Sequence, residues 1–312
     1  VPTFTPYVTP STLLAAPAGI SWNVIPTLTA GSADQLAQLA QVCQIATSIV
    51  DTYCRQPLRA IINTETLTGP GQPRVSVDRD TGIATLVTRR WPVNTVAAIQ
   101  TSPVRAFPET WTLVPAGQYR PRYPMIASAA DGPVTSPSGG NTIDIAPGNI
   151  LNGRGCSQTR IMASYLSGWP HAGLTQQATP VTSGSQTLNL DDVTGWAGVT
   201  GWIYDGQKTE AVTVINVAAA SPVQLPGIGG TVQAGPGTVT LSAPLAFSHS
   251  AGTAVSALPL AAIHATVLTA TVQALEGIDA IATQSLSGEM AGGTGALATE
   301  SELLLDDFRR VA

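Results

Sequence analysis

Apolar and polar positions along this chain alternate in blocks of different period, and the blocks predict its elements. In residues 1 to 31, Leu13, Leu14, Ile20, Trp22 and Ile25 are scattered among prolines and threonines without a steady period. That pattern predicts an extended N-terminal arm that packs on something else. At Ser32 the period becomes helical. "SADQ" is a capping box with Ser32 as N-cap and Gln35 three residues on, and Leu36, Leu39, Cys43, Ala46, Val50 and Tyr53 follow on one face. A helix over residues 33 to 55 is the expectation.

Short runs rich in β-branched residues come next, "AIINTETL", "RVSVD", "IATLVTRRWPV" and "VAAIQTS", divided by "TGPGQP" and "DRDTG". They predict small hairpins, with another strand and turn in "ETWTLVPAGQYRPR". Residues 127 to 157 are mostly turn formers around one apolar segment, which predicts a long loop with a strand at its middle. "RIMASYLSGWP" predicts a strand that ends in a turn. From residue 178 to 255 strand runs alternate with Gly or Asp-Gly turns, Asp205-Gly206 among them, with almost no helical period. About 80 residues of this kind suffice for an inserted β-rich domain. Pro259 then opens a second apolar helix through Ile263, Val267, Ala270, Ala274, Ile278 and Ile281. After a Gly-rich break, Thr299 and Glu302 form another capping box for a last helix, on which Leu304, Phe308 and Val311 share a face.

Composition narrows the class. The 312 residues are 44% hydrophobic and only 11% charged, with 30 glycines and 24 prolines, which fits globular, loop-rich material. No apolar run approaches the roughly 20 residues that span a bilayer. The opening "VPTFTPYVTP" lacks the basic-then-apolar plan of a signal peptide, so synthesis in a cytoplasm is expected. Charge is uneven: residues 1 to 177 carry +3, residues 178 to 254 carry −3, and residues 255 to 312 carry −5. An acidic chain without a basic cluster is poorly suited to grip phosphates, whereas a surface that DNA slides past tolerates negative charge.

Candidate chemistry is sparse. Cys43, Cys54 and Cys156 are odd in number and lack CxxC spacing, against both a disulfide framework and a zinc site; Cys43 falls on an apolar helical face and reads as a small buried hydrophobe. His171, His249 and His264 are far apart in sequence and form no metal-ligand pattern. His249 reads as a turn residue of the β-rich domain. "GIGGTVQAG" lacks the strand-turn-helix setting of a dinucleotide loop, and "DRDTG" lacks the later Glu of a calcium loop. Asp191 and Asp192 suit solvated turn positions better than an acid and base pair. Arg89 and Arg90 beside Trp91, and Arg120 and Arg122 in "RPRYP", fit intersubunit ion pairs better than nucleic-acid contacts. No catalytic residue, cofactor or metal is expected.

The order of these elements carries a resemblance. "LAQLAQVCQIATSIVDTYCRQPL", hairpins, "WTLVPAGQYRPR", "RIMASYLSGWP", "LPLAAIHATVLTATVQAL" and "SELLLDDFRRVA" follow one another as in the head-tail connector family of long-tailed phages, which the chain resembles over residues 32 to 126, 158 to 177 and 256 to 312. The arm, the loop at 127 to 157 and the β-rich domain are additions to that pattern. The resemblance implies an α+β fold: a helical core with small β-hairpins over residues 32 to 177 and 256 to 312, plus an inserted all-β domain over 178 to 255. It implies a non-enzymatic structural virion protein at the head-tail interface. Such proteins form a homo-oligomeric ring, usually twelvefold, beneath the portal protein, and present a platform to the next neck or tail protein. Genomic DNA passes through the channel without sequence-specific binding, and no membrane is involved. Leu304, Phe308, Arg309, Arg310 and Trp22 are the expected portal or intersubunit contacts. Other virion roles, tail completion or capsid decoration, and a secreted carbohydrate-binding or carbohydrate-active protein are the alternative readings.

Overall fold

The computed structural model describes residues 4–15, 33–68, 74–78, 80–103, 108–122, 140–148, 159–175, 180–225, 231–276 and 299–309. Strand outweighs helix, 39% against 23%, so the expectation of a helical core decorated by small hairpins is overturned. Of the runs read as small hairpins, "RVSVD" and the start of "IATLVTRRWPV" do pair as one, whereas "AIINTETL" and "VAAIQTS" belong to long strands that pair across sequence. β1 (Ile61–Thr68), β8 (Thr159–Ser167), β4 (Val93–Pro103) and β5 (Thr112–Leu113) form one antiparallel sheet in that order. A second antiparallel sheet runs β2 (Val75–Val77), β3 (Ala84–Val87), β7 (Thr142–Ile145), β6 (Tyr119–Pro121). β7 is the strand expected inside the long loop. Ile99, Ile161, Ala163 and Tyr165 of the first sheet and Val75, Leu86, Ile143 and Ile145 of the second are buried in one cluster. This sandwich is a core in its own right, and among the described residues no helix contributes to it. Period-2 alternation reveals one strand at a time; the β4–β8 pairing, which spans some sixty residues of sequence, is a tertiary event.

The third sheet runs β10 (Thr187–Leu190), β15 (Gly237–Leu241), β12 (Glu210–Ala219), β11 (Thr200–Tyr204), β16 (Ala254–Ser256), β9 (His171–Gly173). Its two edges meet: Leu174 bridges Leu190, the Thr175 amide donates to the Asn189 carbonyl at 2.9 Å, and the Asp191 amide donates to Gly173 at 3.0 Å. The result is a half-barrel filled by Leu188, Leu190, Trp196, Ile203, Val214 and Val239. Gly201 is required there, because a Cβ would lie 2.6 Å from the Trp196 ring. β9 lies before residue 178 and is supplied by the preceding chain. A short hairpin, β13 (Val223–Gln224) with β14 (Thr231–Val232), leaves this unit and packs Leu225 and Val232 against Leu166 of the first sheet.

The helices form one layer. Here α1 is Pro10–Ala15, α2 is Ala33–Tyr53, α3 is Leu260–Glu276 and α4 is Thr299–Leu305, continued by a 3₁₀ turn over Asp306–Phe308. The expected N-cap Ser32 lies outside the described residues. α2 stops where expected: the Gln56 amide donates to the Asp51 carbonyl and the Arg55 amide to Thr52, a Schellman closure with Arg55 at φ 55°. Leu39, Cys43, Ala46 and Val50 of α2 meet Ala262, Ile263, Ala265 and Ala270 of α3, with Leu305 and Phe308 from the last turn. Segment 4–15, expected as an extended arm, instead holds α1 and buries Tyr7, Val8 and Leu13 in this same cluster. Among the described residues no helix is long and apolar enough to cross a membrane.

Candidate functional site

The last helix arrives on a platform of aromatic residues drawn from distant parts of the sequence. Trp91 and Phe308 are stacked with centroids 6.4 Å apart, Trp169 stands edge-on to both at 5.6 Å, and Trp169 and Phe308 are fully buried. Tyr53 at the end of α2 donates its hydroxyl to Asp306 at 2.6 Å, and the Arg309 guanidinium lies over the Tyr53 ring at 5.4 Å. Burial and the Asp306 carboxylate push the Tyr53 hydroxyl up to about 12.

Of the expected contact residues, Phe308 is therefore directed into its own chain's interior, Leu304 is half-buried against the helical layer, and Arg309 is exposed. Trp22, Arg310 and Val311 lie outside the described residues. The helical spacing that joined Leu304 to Phe308 fails because the α-helix ends at Leu305 and tightens to 3₁₀ geometry. Leu305 and Phe308, three apart, become the buried pair. Leu303, which the stripe did not include, is left 72% exposed, and Leu36 at the start of α2 is 46% exposed.

The N-terminal segment locks the helical layer to the half-barrel. The Tyr7 hydroxyl donates to Asp51 at 2.5 Å and accepts from the Leu58 and Arg59 amides at 2.8 and 3.1 Å. Burial, and then the Asp51 charge, push the Tyr7 hydroxyl well above its ordinary range. Asp51 is itself raised by burial, against the Tyr7 hydrogen bond and the Arg59 guanidinium 3.6 Å away. Arg59 also lies 3.9 Å from the centre of the Phe4 ring. On the other side, Thr5 donates to Asp191, which accepts from the Gly173 amide at 2.7 Å. His171 Nε2 lies 2.9 Å from the Pro6 carbonyl, with the Tyr7 ring edge-on at 5.4 Å.

Several other ionisable groups among the described residues are also engaged with their own chain. His249, expected as a turn residue without further role, is fully buried with Nδ1 3.0 Å from Asp205 and Nε2 2.7 Å from Glu210. Glu210 accepts from the Ala246 and Phe247 amides as well; burial raises its pKa, but these bonds and His249 hold it below the usual carboxylate range. The cluster clasps the 245–249 loop onto the β11–β12 turn. Asp192 accepts from the Thr194 and Gly235 amides and anchors its turn, whereas Asp191, expected as a solvated turn residue, is half-buried and ties the N-terminal segment to β9. Glu65 gathers Tyr165, Arg74 and the Arg89 amide, whose pull outweighs burial and lowers its pKa. Arg122, expected in an intersubunit pair, is 3.5 Å from Asp144 of its own sheet. Cys43 is buried as expected, its thiol pushed up to about 12 by desolvation. Among the described residues no group of three or more His, Cys, Asp or Glu is placed to hold a metal ion.

What this arrangement offers is a scaffold with an exposed apolar and cationic edge at Leu303 and Arg309, next to the half-buried Leu304 and the acidic Glu302 and Asp306. No protein-family model matches the chain, and no curated protein or solved structure matches it either.

Proposed function

We propose that this chain is a structural virion protein of the head-tail connector type, a ring-forming adaptor beneath the portal that extends the DNA channel and carries the next neck or tail protein. The observation that supports this reading is convergence. Three of the stretches that carry the resemblance, "TYCRQPL", "SGWP" and "LLLDDF", are spread over 250 residues and meet at one place through Tyr53, Trp169 and Phe308, where Trp91 from the strand region between them joins. A shared order of motifs acquires a physical meaning if those motifs build one platform for the last helix.

On this reading the portal contacts the outer side of that helix, Leu303, Leu304 and Arg309, while Phe308 anchors the helix from within. The acidic C-terminal third lets DNA pass without adhering. The protein is made in the host cytoplasm and resides at the virion neck. The test is the native mass of the full chain, alone and mixed with the portal protein of the same genome. A multi-subunit ring that joins the portal is the expected result, and Leu303→Asp is expected to weaken that union by ~30-fold or more. A persistent monomer that ignores the portal overturns the reading.

A further inference from the structure

We infer that the β1–β8–β4–β5 sheet continues from one copy of this chain into the next, the 108–113 segment of one copy pairing with the free edge of β1 in its neighbour. β1 is eight residues long and, among the described residues, hydrogen-bonds to a strand on one side only, that of β8. Its register against β8 runs from Ile61 to Thr68 without a shift. The strand holds no proline and no lysine, and it presents exposed Thr64, Thr66 and Thr68. Chains that remain single blunt such an edge with prolines, charges, bulges or short strands. The neighbouring sheet does so, its edges being the three-residue β2 and the proline-bearing β6. β1 has no proline or bulge and is long, and its one charge, Glu65, is turned inward and paired with Arg74, so its outer backbone groups form a template for another strand.

The occupant is argued from the opposite edge of the same sheet. β5 pairs through Thr112 and Leu113, with the next amide, that of Val114, donating to the Ile99 carbonyl; Thr112 and Leu113 are exposed, as are Pro108, Glu109 and Thr110 before them. Leu113 is 46% exposed. Thr66, Met162, Gln100 and Leu113 form one continuous cross-strand row, so Leu113 and Thr66 stand at the two ends of one face. Every neighbouring pair in this four-stranded sheet is antiparallel, hence β1 and β5 run in opposite directions. A second copy brought up by rotation therefore sets its β5 antiparallel to β1, and the alternation continues without reversal. The contact is heterologous, the kind that closes into rings. The closed form rests on the connector reading; the strand pairing itself does not.

Cysteine pairing in the full chain tests this, on a Cys156→Ser background. Three gaps of about 4.8 Å separate β1 from β5 by ~14 Å. A disulfide between them within one chain is excluded, since its Cα atoms must lie within about 7 Å. Leu113→Cys combined with Thr64→Cys, Thr66→Cys or Thr68→Cys is expected to give, in at least one combination, a ladder of multiples of the 32.0 kDa chain on oxidation. Leu113→Cys alone is expected to stay at a single chain. Amides of residues 61–68 in the unsubstituted protein are expected to exchange at least tenfold more slowly in the assembled form than in the monomer. No ladder from any combination overturns the inference. A dimer from Thr66→Cys alone, which marks β1–β1 pairing about a two-fold axis, does so as well. Protection already complete in the monomer does the same. A portal-bound ring without a ladder removes this inference and leaves the connector reading standing; a ladder without portal binding does the reverse.

Discussion

His171 shows how a single side chain reports the docking of the N-terminal segment. Buried beneath Pro6 and Tyr7, its imidazole has its pKa pushed down to about 4 by desolvation, against the raising effect of the Pro6 carbonyl. An unfolded chain takes up that proton near the ordinary value of 6.5, whereas the folded chain refuses it until about 4. Between those values the unfolded state binds more protons, so stability falls as pH is lowered through the window, by roughly 3 kcal/mol if fully expressed. His171→Gln, which retains a donor toward the Pro6 carbonyl, is expected to lose this part of the acid sensitivity. Urea midpoints of both proteins at pH 7 and pH 4.5 check it, and parallel losses in the two would sink the assignment. The histidine was visible in the sequence, but its partner lies 165 residues away.

At the scale of elements, α2 is the helix whose limits follow most directly from local rules. Its apolar period holds to Tyr53, and the chain turns at Arg55 with the hydrogen bonds of a Schellman closure. The residue that adopts the left-handed conformation there is an arginine, which carries a Cβ penalty that glycine lacks. Arg55 is exposed, and beside the Schellman bond of its amide, its backbone carbonyl lies 3.3 Å from the Arg90 guanidinium. Arg55→Gly is therefore expected to stabilise the protein by about 1 kcal/mol. Thermal unfolding of the two proteins measures it; a loss of stability would mean that the arginine side chain contributes more than its strained backbone costs. α4 illustrates the opposite case. Its amphipathic stripe was legible, yet the change to 3₁₀ geometry after Leu305 reassigns which leucine is inside, because one turn of tighter winding rotates every later side chain around the axis.

For the whole molecule, the half-barrel decides where one folding unit ends. Composition marks residues 178 to 255 as a separate stretch, but two of the six strands, β9 and β16, lie at or beyond its ends, and β9 carries the contact that brings the sheet's edges together. A fragment spanning 178–253 lacks both strands, leaves Val255 and Ala172 out of the apolar cluster, and is expected to be unfolded or molten. A fragment spanning 170–258 restores them and is expected to melt cooperatively. Circular dichroism and amide dispersion in NMR spectra of the two fragments distinguish them, and a cooperatively folded 178–253 fragment would refute the role assigned to β9 and β16.

The sequence alone determined the position of α2, the start of α3, the strand inside the long loop, the burial of Cys43 and the run of turns through the half-barrel. All of these depend on interactions within a few residues: side-chain periodicity, capping groups and turn chemistry. The tertiary structure decided which strands pair, and thereby that the molecule is mostly β and not a helical core. It also placed His249 between Asp205 and Glu210, and brought Trp91, Trp169 and Phe308 together under the last helix. The physical reason is that strand pairing and polar clusters are satisfied by partners far away in the chain, and alternation of apolar residues specifies a face without specifying a neighbour.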